Sequence, residues 1–254
     1  MRKAEVFINP TVKQVVFQIR YPNLFFLESK IGDFQLKIMN EFPVSSLLFR
    51  RQLLFSNLGL KENLEDPSQN NTEGVNAKIW QFRSKDDVEL NVLSDSLDIS
   101  SKSYKTYNNS SGDKKFRDII KFVVDAFLEV TSVPIINRLG LRYIDECPLF
   151  EKTNDQLNKS FNTSFNLDRF DISTAENMDF LTTINRDKYK LRYAESLLKQ
   201  DQDYKIMLDF DGIAENLESK DYITNLDNLH QIISDEFFAT IKDPILDYMR
   251  KHKT

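Results

Sequence analysis

Twice along this chain, three short strand-like segments run into one amphipathic helix, and this repeated order constrains the fold more than any single motif does. The first set is 77–83 (AKIWQFR), 87–93 (DVELNVL) and 96–101 (SLDISS), with turn residues at Ser84-Lys85-Asp86 and Ser94-Asp95. A helix over 114–131 follows, with Phe116, Ile119, Ile120, Val123, Phe127 and Val130 recurring at three and four residues. The second set is 179–185 (DFLTTIN), 189–197 (YKLRYAESL) and 203–210 (DYKIMLDF), followed by a helix over 225–242 with Leu226, Leu229, Ile233, Phe237 and Ile241 on one side. Runs of antiparallel strands followed by helices predict an α+β fold. The spacing predicts two antiparallel meander-plus-helix halves, 1–150 and 151–254, related by approximate internal duplication, standing apart or fused into one continuous domain.

The remaining segments fit around this plan. VKQVVFQIRY (12–21) alternates as a strand, and Leu27, Ile31, Phe34, Ile38 and Phe42 predict a helix over 27–42 stopped by Pro43. LLFRRQLLF (47–55) reads as a strand, and 59–76 and 108–113 read as polar loops, with Ser111 or Asp113 as a helix cap. In RLGLRYIDE (138–146) Leu139, Leu141 and Tyr143 share one face and Gly140, Arg142 and Ile144 the other. Gly140 there signals a bulge or a close backbone approach. The polar stretch 151–160 is the expected half-boundary, 160–167 an edge segment, and Asp243-Pro244 a kink or a new helical start.

Sparse residue types narrow the chemistry. One cysteine, Cys147, permits no internal disulfide and suits a reducing cytoplasm. Two histidines, His230 and His252, with that single cysteine give no thiolate or imidazole zinc set. Six glycines include neither G-x-G-x-x-G nor a phosphate loop ending in Lys-Ser/Thr. No G-x-S-x-G elbow occurs either. No apolar run reaches about 18 residues, so no membrane helix is expected. The net charge of −5 disfavours general nucleic-acid binding, which then requires arginines gathered on one face. No cofactor is expected.

What remains are arginines and carboxylates. Arg138, Arg142 and Arg192 lie on strands, where a guanidinium can hold a carboxylate or phosphate of a ligand or partner, or pair across the sheet with Glu89, Asp145 or Glu195. Asp209 and Asp211, in Asp209-Phe210-Asp211-Gly212, read as paired acids at a strand end, either turn residues or a Mg²⁺ site for phosphoryl chemistry. The nuclease reading requires them to converge with Asp145 or Glu195. His230 flanks an apolar stripe, Cys147 reads as a small buried hydrophobe, and Trp80 and Phe82 read as core.

Several stretches in order resemble a sporadically distributed bacterial family of uncharacterised proteins of about 250 residues. These are Asn9-Pro10 with VKQVVFQIRY, Glu41-Phe42-Pro43, the stretch with Trp80 and Phe82, RLGLRYID over 138–145, and His230 to Phe237 with Ile241-Lys242-Asp243. The patchy occurrence of such a family implies an association with toxin–antitoxin or antiphage cassettes and implies no chemistry. With no catalytic set visible, the expectation is a non-enzymatic, cytoplasmic binding or regulatory protein acting through protein contacts. An accessory, sensor or antitoxin-like component fits this. The alternatives are a Mg²⁺-dependent carboxylate nuclease and a nucleotide or small-ligand sensor.

Overall fold

Alternation along one central strand organises the whole molecule. In β6 (Ile135–Pro148), Leu139, Leu141, Tyr143, Asp145 and Cys147 are buried, while Arg138, Arg142, Ile144 and Glu146 between them stay partly open to solvent. This is the period of two that a strand covered on one face must show. The computed structural model describes residues 6–52, 75–103, 106–107, 115–200 and 203–251.

Among the described residues nine strands form one sheet, and every pairing in it is antiparallel. They are β1 (Val12–Arg20), β2 (Val44–Gln52), β3 (Val75–Arg83), β4 (Val88–Val92), β5 (Ser96–Ser101), β6, β7 (Asp179–Arg186), β8 (Tyr189–Gln200) and β9 (Asp203–Glu218). Their spatial order is β2-β3-β4-β5-β1-β6-β9-β8-β7. The helices are α1 (Leu27–Ile38), α2 (Phe116–Thr131), α3 (Asn154–Ser160), α4 (Tyr222–Thr240) and α5 (Asp243–Arg250). No helix among the described residues is long and apolar enough to cross a membrane.

The register assigns each side chain to a face. Phe82, Leu90, Ile99, Phe17, Leu141 and Gly212 lie in one cross-strand row. A Cβ on Gly212 would stand 3.2 Å from Ile233 Cδ1 and 3.4 Å from Leu229 Cβ, so this row lies under α4. Glycine at 212 lets the helix approach the sheet closely. At the other end Phe34 of α1 meets Phe82 and Phe127 edge-on, with ring centroids at 6.0 and 5.6 Å. One apolar cluster, from Val15 to Met249, fills the space between this face and the helices.

The two expected meanders are therefore flanks of one sheet and not two sheets. β1 and β6 pair along their length and join them at the centre, with a bulge between Val12 and Gln14. Pairing there removes two strand edges that separate sheets would have exposed. The bulge is not at Gly140, whose register is continuous on both sides.

Other boundaries shift for local reasons. The stretch 151–160 contains α3, where Thr153 caps Gln156 N–H at 3.2 Å and Leu157 is buried. Phe161 forms an isolated bridge with Ile241. The helix from Leu27 ends at Ile38, with a turn leading to buried Phe42, and Pro244 stands in the first turn of a separate α5. β9 runs eight residues past Phe210, so Asp209 and Asp211 sit within a strand and not at its end. Loop residues 59–74 and 108–113, with both proposed caps, lie outside the described residues, as do 53–55; residues 75 and 76 belong to β3.

Candidate functional site

The row next to the buried one faces away from the helices, and it carries the charged residues. Arg142 stands opposite Asp211, and Asp211 stands opposite Arg192, across β6, β9 and β8. Two residues along, Asp209 is on the same face. Arg142 Nε donates to Asp209 Oδ1 at 2.7 Å and Nη2 donates to Oδ2 at 2.7 Å. Arg192 Nη1 reaches within 3.6 Å of the same Oδ2. Arg138 Nη2 donates to Asp211 Oδ2 at 3.1 Å, while its Nη1 donates to Gln18 Oε1 at 3.0 Å. Gln18 also accepts from Arg20 Nε at 3.1 Å. Side chains singled out from sequence as two separate sets, Arg138, Arg142 and Arg192 on one hand and Asp209 and Asp211 on the other, thus form one network.

Gly140 belongs to this arrangement. A Cβ at that position would lie 3.0 Å from Arg138 Nη1, so the missing side chain leaves room for the guanidinium to lie flat along β6. From there it reaches Gln18 on one neighbouring strand and Asp211 on the other. What approaches Gly140 is the Arg138 side chain, two residues away, and not another stretch of backbone as expected.

The electrostatics follow from burial and count. The Asp209 side chain is 6% exposed, whereas Arg142 and Arg192 are 42% and 38% exposed. The Asp209 hydrogen bonds hold the Arg142 guanidinium above its ordinary pKa, against the effect of its burial. Burial pushes the Asp211 carboxyl up, more than Arg138 and Arg142 pull it down. Three cations against two carboxylates leave the cluster with a net positive charge, presented by half-exposed planar groups suited to oxyanions.

Both oxygens of Asp209 accept from one guanidinium fork, so a metal there would have to displace Arg142. Among the described residues no group of three or more His, Cys, Asp or Glu side chains is placed to hold a metal ion. Asp145 and Glu195 lie in the helix-covered row, opposite Leu208 or beside it, and the sheet separates them from Asp209 and Asp211. They pair with none of the three arginines. Asp145 accepts from Thr11 Oγ1 at 2.7 Å, and burial pushes its carboxyl up to about 7. Glu195 accepts from Thr163 Oγ1 at 2.5 Å, Ser164 N–H at 2.8 Å and Tyr193 Oη at 3.1 Å. Glu89 pairs instead with Arg83 at 3.4 Å.

On the covered face a second polar cluster closes around His230. Its ring stacks on Tyr107 with centroids 3.9 Å apart, and its Nδ1 lies 3.2 Å from Tyr143 Oη. Burial lowers its pKa to about 4, against the pull of Asp227. Asp227 itself accepts from Arg117 Nε and Nη2 at 2.7 and 2.8 Å and from Tyr107 Oη at 2.6 Å. This cluster ties the start of α2 and residues 106–107 to α4. Only the three-residue spacing of Asp227 and His230 on one helix face hinted at it, because Tyr107 and Arg117 arrive from elsewhere in the chain. Cys147 is fully buried, and burial followed by the nearby Asp145 raises its thiol well above the ordinary value. Comparison with family models, with curated proteins and with solved structures finds no match for this chain.

Proposed function

We propose that this chain is a non-enzymatic binding or regulatory protein that works through protein contacts, with the face of the sheet turned away from the described helices as its recognition surface. One observation carries the reading: Arg142 and Arg192 stand half exposed on either side of a buried Asp209, held in place on three adjacent strands. Side chains fixed by a rigid sheet lose little freedom on binding, which favours a recognition role. Salt bridges already made within the face leave the arginines charged and oriented toward a carboxylate on a partner.

The placement in a bacterial cytoplasm, and the lean toward an accessory, sensor or antitoxin-like part of a defence cassette, is supported by the sequence resemblance alone. Internal duplication is a further part of the proposal. It is supported by the matching orders β1-β5-β4-β3 and β6-β9-β8-β7 on the two sides of the β1–β6 seam.

The test is affinity capture from the native host with the wild-type chain and with the Arg142→Glu/Arg192→Glu variant. A partner bound by the first and lost by the second, with folding intact, is the expected result. Mg²⁺-dependent nuclease activity that disappears with Asp209→Ala or Asp211→Ala would overturn the proposal.

A further inference from the structure

β4 pairs with β3 only from Trp80 to Arg83, because the chain turns into β5 after Val92. The part of β3 before Trp80 pairs with β2 alone, so the β2–β3 ribbon projects past the end of β4. The space in line with β4 is a cleft of about 940 Å³. Its walls are Leu48, Lys78 and Ile79 on the ribbon side and the segment 23–28 opposite, with the turn at 93–96 as its floor. That turn is fastened to the segment by Tyr21 N–H to Asp95 O at 3.0 Å and Leu24 N–H to Ser94 O at 2.8 Å.

Two properties of this corner need an occupant. Its apolar side chains are left in water: Phe25 is 92% and Leu48 42% exposed, and Val44, Leu47 and Phe49, which do not line the cleft, are also exposed along the same edge strand. Edge strands ordinarily carry charges or proline that discourage pairing; in β2 these stand at the ends, Pro43 before it and Arg50-Arg51 near its close, and leave VSSLLF over 44–49 without either. The charge in the cleft is unbalanced. Lys78 is taken by Glu28 at 2.5 Å and Glu89 by Arg83, while Arg20 is bonded to the neutral Gln18, which leaves one cation against the two carboxylates Asp95 and Asp98. Among the described residues Asp98 and Asp95 accept from neutral groups, Asn91 at 3.1 Å and Ser96 at 3.2 Å, and form no ion pair. Burial raises the Asp98 carboxyl against the Asn91 hydrogen bond, and Glu89 adds to the rise, a cost that an arriving cation removes.

We propose that this cleft is the docking site for an extended segment of a partner protein in which basic and apolar residues alternate, running beside β3 where β4 stops. A strand places successive side chains on opposite faces, so such a segment sets its cations toward Asp95 and Asp98, on the face that Leu48 and Asp98 share by register, and its apolar residues against Phe25. The proposal rests on the protein-contact reading above and names one class of partner for a second surface. The cleft adjoins the arginine face through Gln18, which accepts from both Arg20 and Arg138, but neither Arg142 nor Arg192 lines it, so partner capture that depends on those two survives its failure.

Trp80 lines the cleft and is the chain's single tryptophan, so its emission reports on occupancy. The full-length chain is titrated with a series of synthetic peptides of about ten residues alternating Lys or Arg with Val or Leu, and with counterparts carrying Glu for each basic residue. The basic series is expected to shift Trp80 emission saturably and the acidic series to leave it unchanged. Asp95→Asn/Asp98→Asn and, separately, Phe25→Ser each weaken binding at least tenfold while far-UV circular dichroism stays the same. Equal binding of both series, or no response to any basic peptide, overturns the proposal. So does a Trp80 shift that follows protein concentration alone together with dimer formation on size exclusion, which would put a second copy in the cleft.

Discussion

Arg142 grips Asp209 with a two-point fork, Nε to Oδ1 and Nη2 to Oδ2 both at 2.7 Å, from neighbouring strands of one sheet. The carboxylate is nearly buried and the guanidinium nearly half exposed, so the pair lies between the buried and surface limits of ion-pair energetics. Asp209→Ala leaves three guanidiniums around one remaining carboxylate and is expected to destabilise the fold by about 1–3 kcal/mol. In a double-mutant cycle with Arg142→Ala, urea unfolding should show a coupling of about 1 kcal/mol, because the second substitution removes the charge left unanswered by the first. Strictly additive effects would mean that the fork contributes nothing.

Asp145 is buried with one hydrogen bond from Thr11 and no cation beside it, and its carboxyl is pushed up to about 7 from an ordinary value of 3.8. The folded chain therefore keeps a proton that the unfolded chain releases. Stability from this group is full below about pH 4 and is lost as pH rises to about 7, by an amount on the order of 3–4 kcal/mol. Asp145→Asn keeps an acceptor for Thr11 and has no proton to lose. The variant should be more stable than wild type at pH 8, with the difference shrinking toward pH 4. Urea midpoints measured at both ends check this, and a constant difference would refute it.

His230 titrates in the opposite sense. Its pKa is held down to about 4, so between about pH 6.5 and 4 the unfolded chain binds a proton that the folded chain refuses. Stability due to this group is present above pH 6.5 and falls with acid, by about 2–3 kcal/mol at pH 4. His230→Phe retains a ring to stack on Tyr107 and removes the titration. Thermal unfolding between pH 7 and 4 should show a shallower acid loss in the variant; parallel profiles would contradict the assignment.

Glu195 fastens the segment after α3 to β8 by accepting three hydrogen bonds while fully buried. Glu195→Ala leaves the Thr163 hydroxyl, the Ser164 amide and the Tyr193 hydroxyl short of an acceptor and should cost about 2–4 kcal/mol. Hydrogen exchange locates the effect. The Ser164 amide should exchange much faster in the variant, with β1 and β5 amides changing only in proportion to global stability.

The arginines and the two acids show how far a one-dimensional reading reaches. That Arg138 and Arg142 share a face follows from their even spacing, and Asp209 and Asp211 share a face for the same reason. That these two faces are the same face, and that Arg192 joins them, depends on the register of β6 on β9 and of β9 on β8. A shift of one residue of β6 on β9 would have set the acids on the opposite face from Arg138 and Arg142, and a shift of β9 on β8 would have turned Arg192 away from them. Asp145 and Glu195 equally matched the arginines by charge and distance along the chain, and parity against their neighbours removed them to the covered face.

Sequence by itself determined the local elements: the alternating strands, the helix stripes with Phe34, Phe127 and Leu229 inward, the Pro244 helix start, and the scarcity of cysteine, histidine and glycine that limits the chemistry. These are properties of neighbouring residues, set by backbone geometry and by burial of one face. Tertiary structure alone decided that β1 and β6 join the two meanders into one sheet, that Asp209 belongs to Arg142, that Tyr107 and Arg117 enclose His230 and Asp227, and that β4 stops short to leave a cleft beside Trp80. Each of these joins residues far apart in the chain, and the energy that selects it comes from packing the whole helix layer on one face of the sheet, which no single segment encodes.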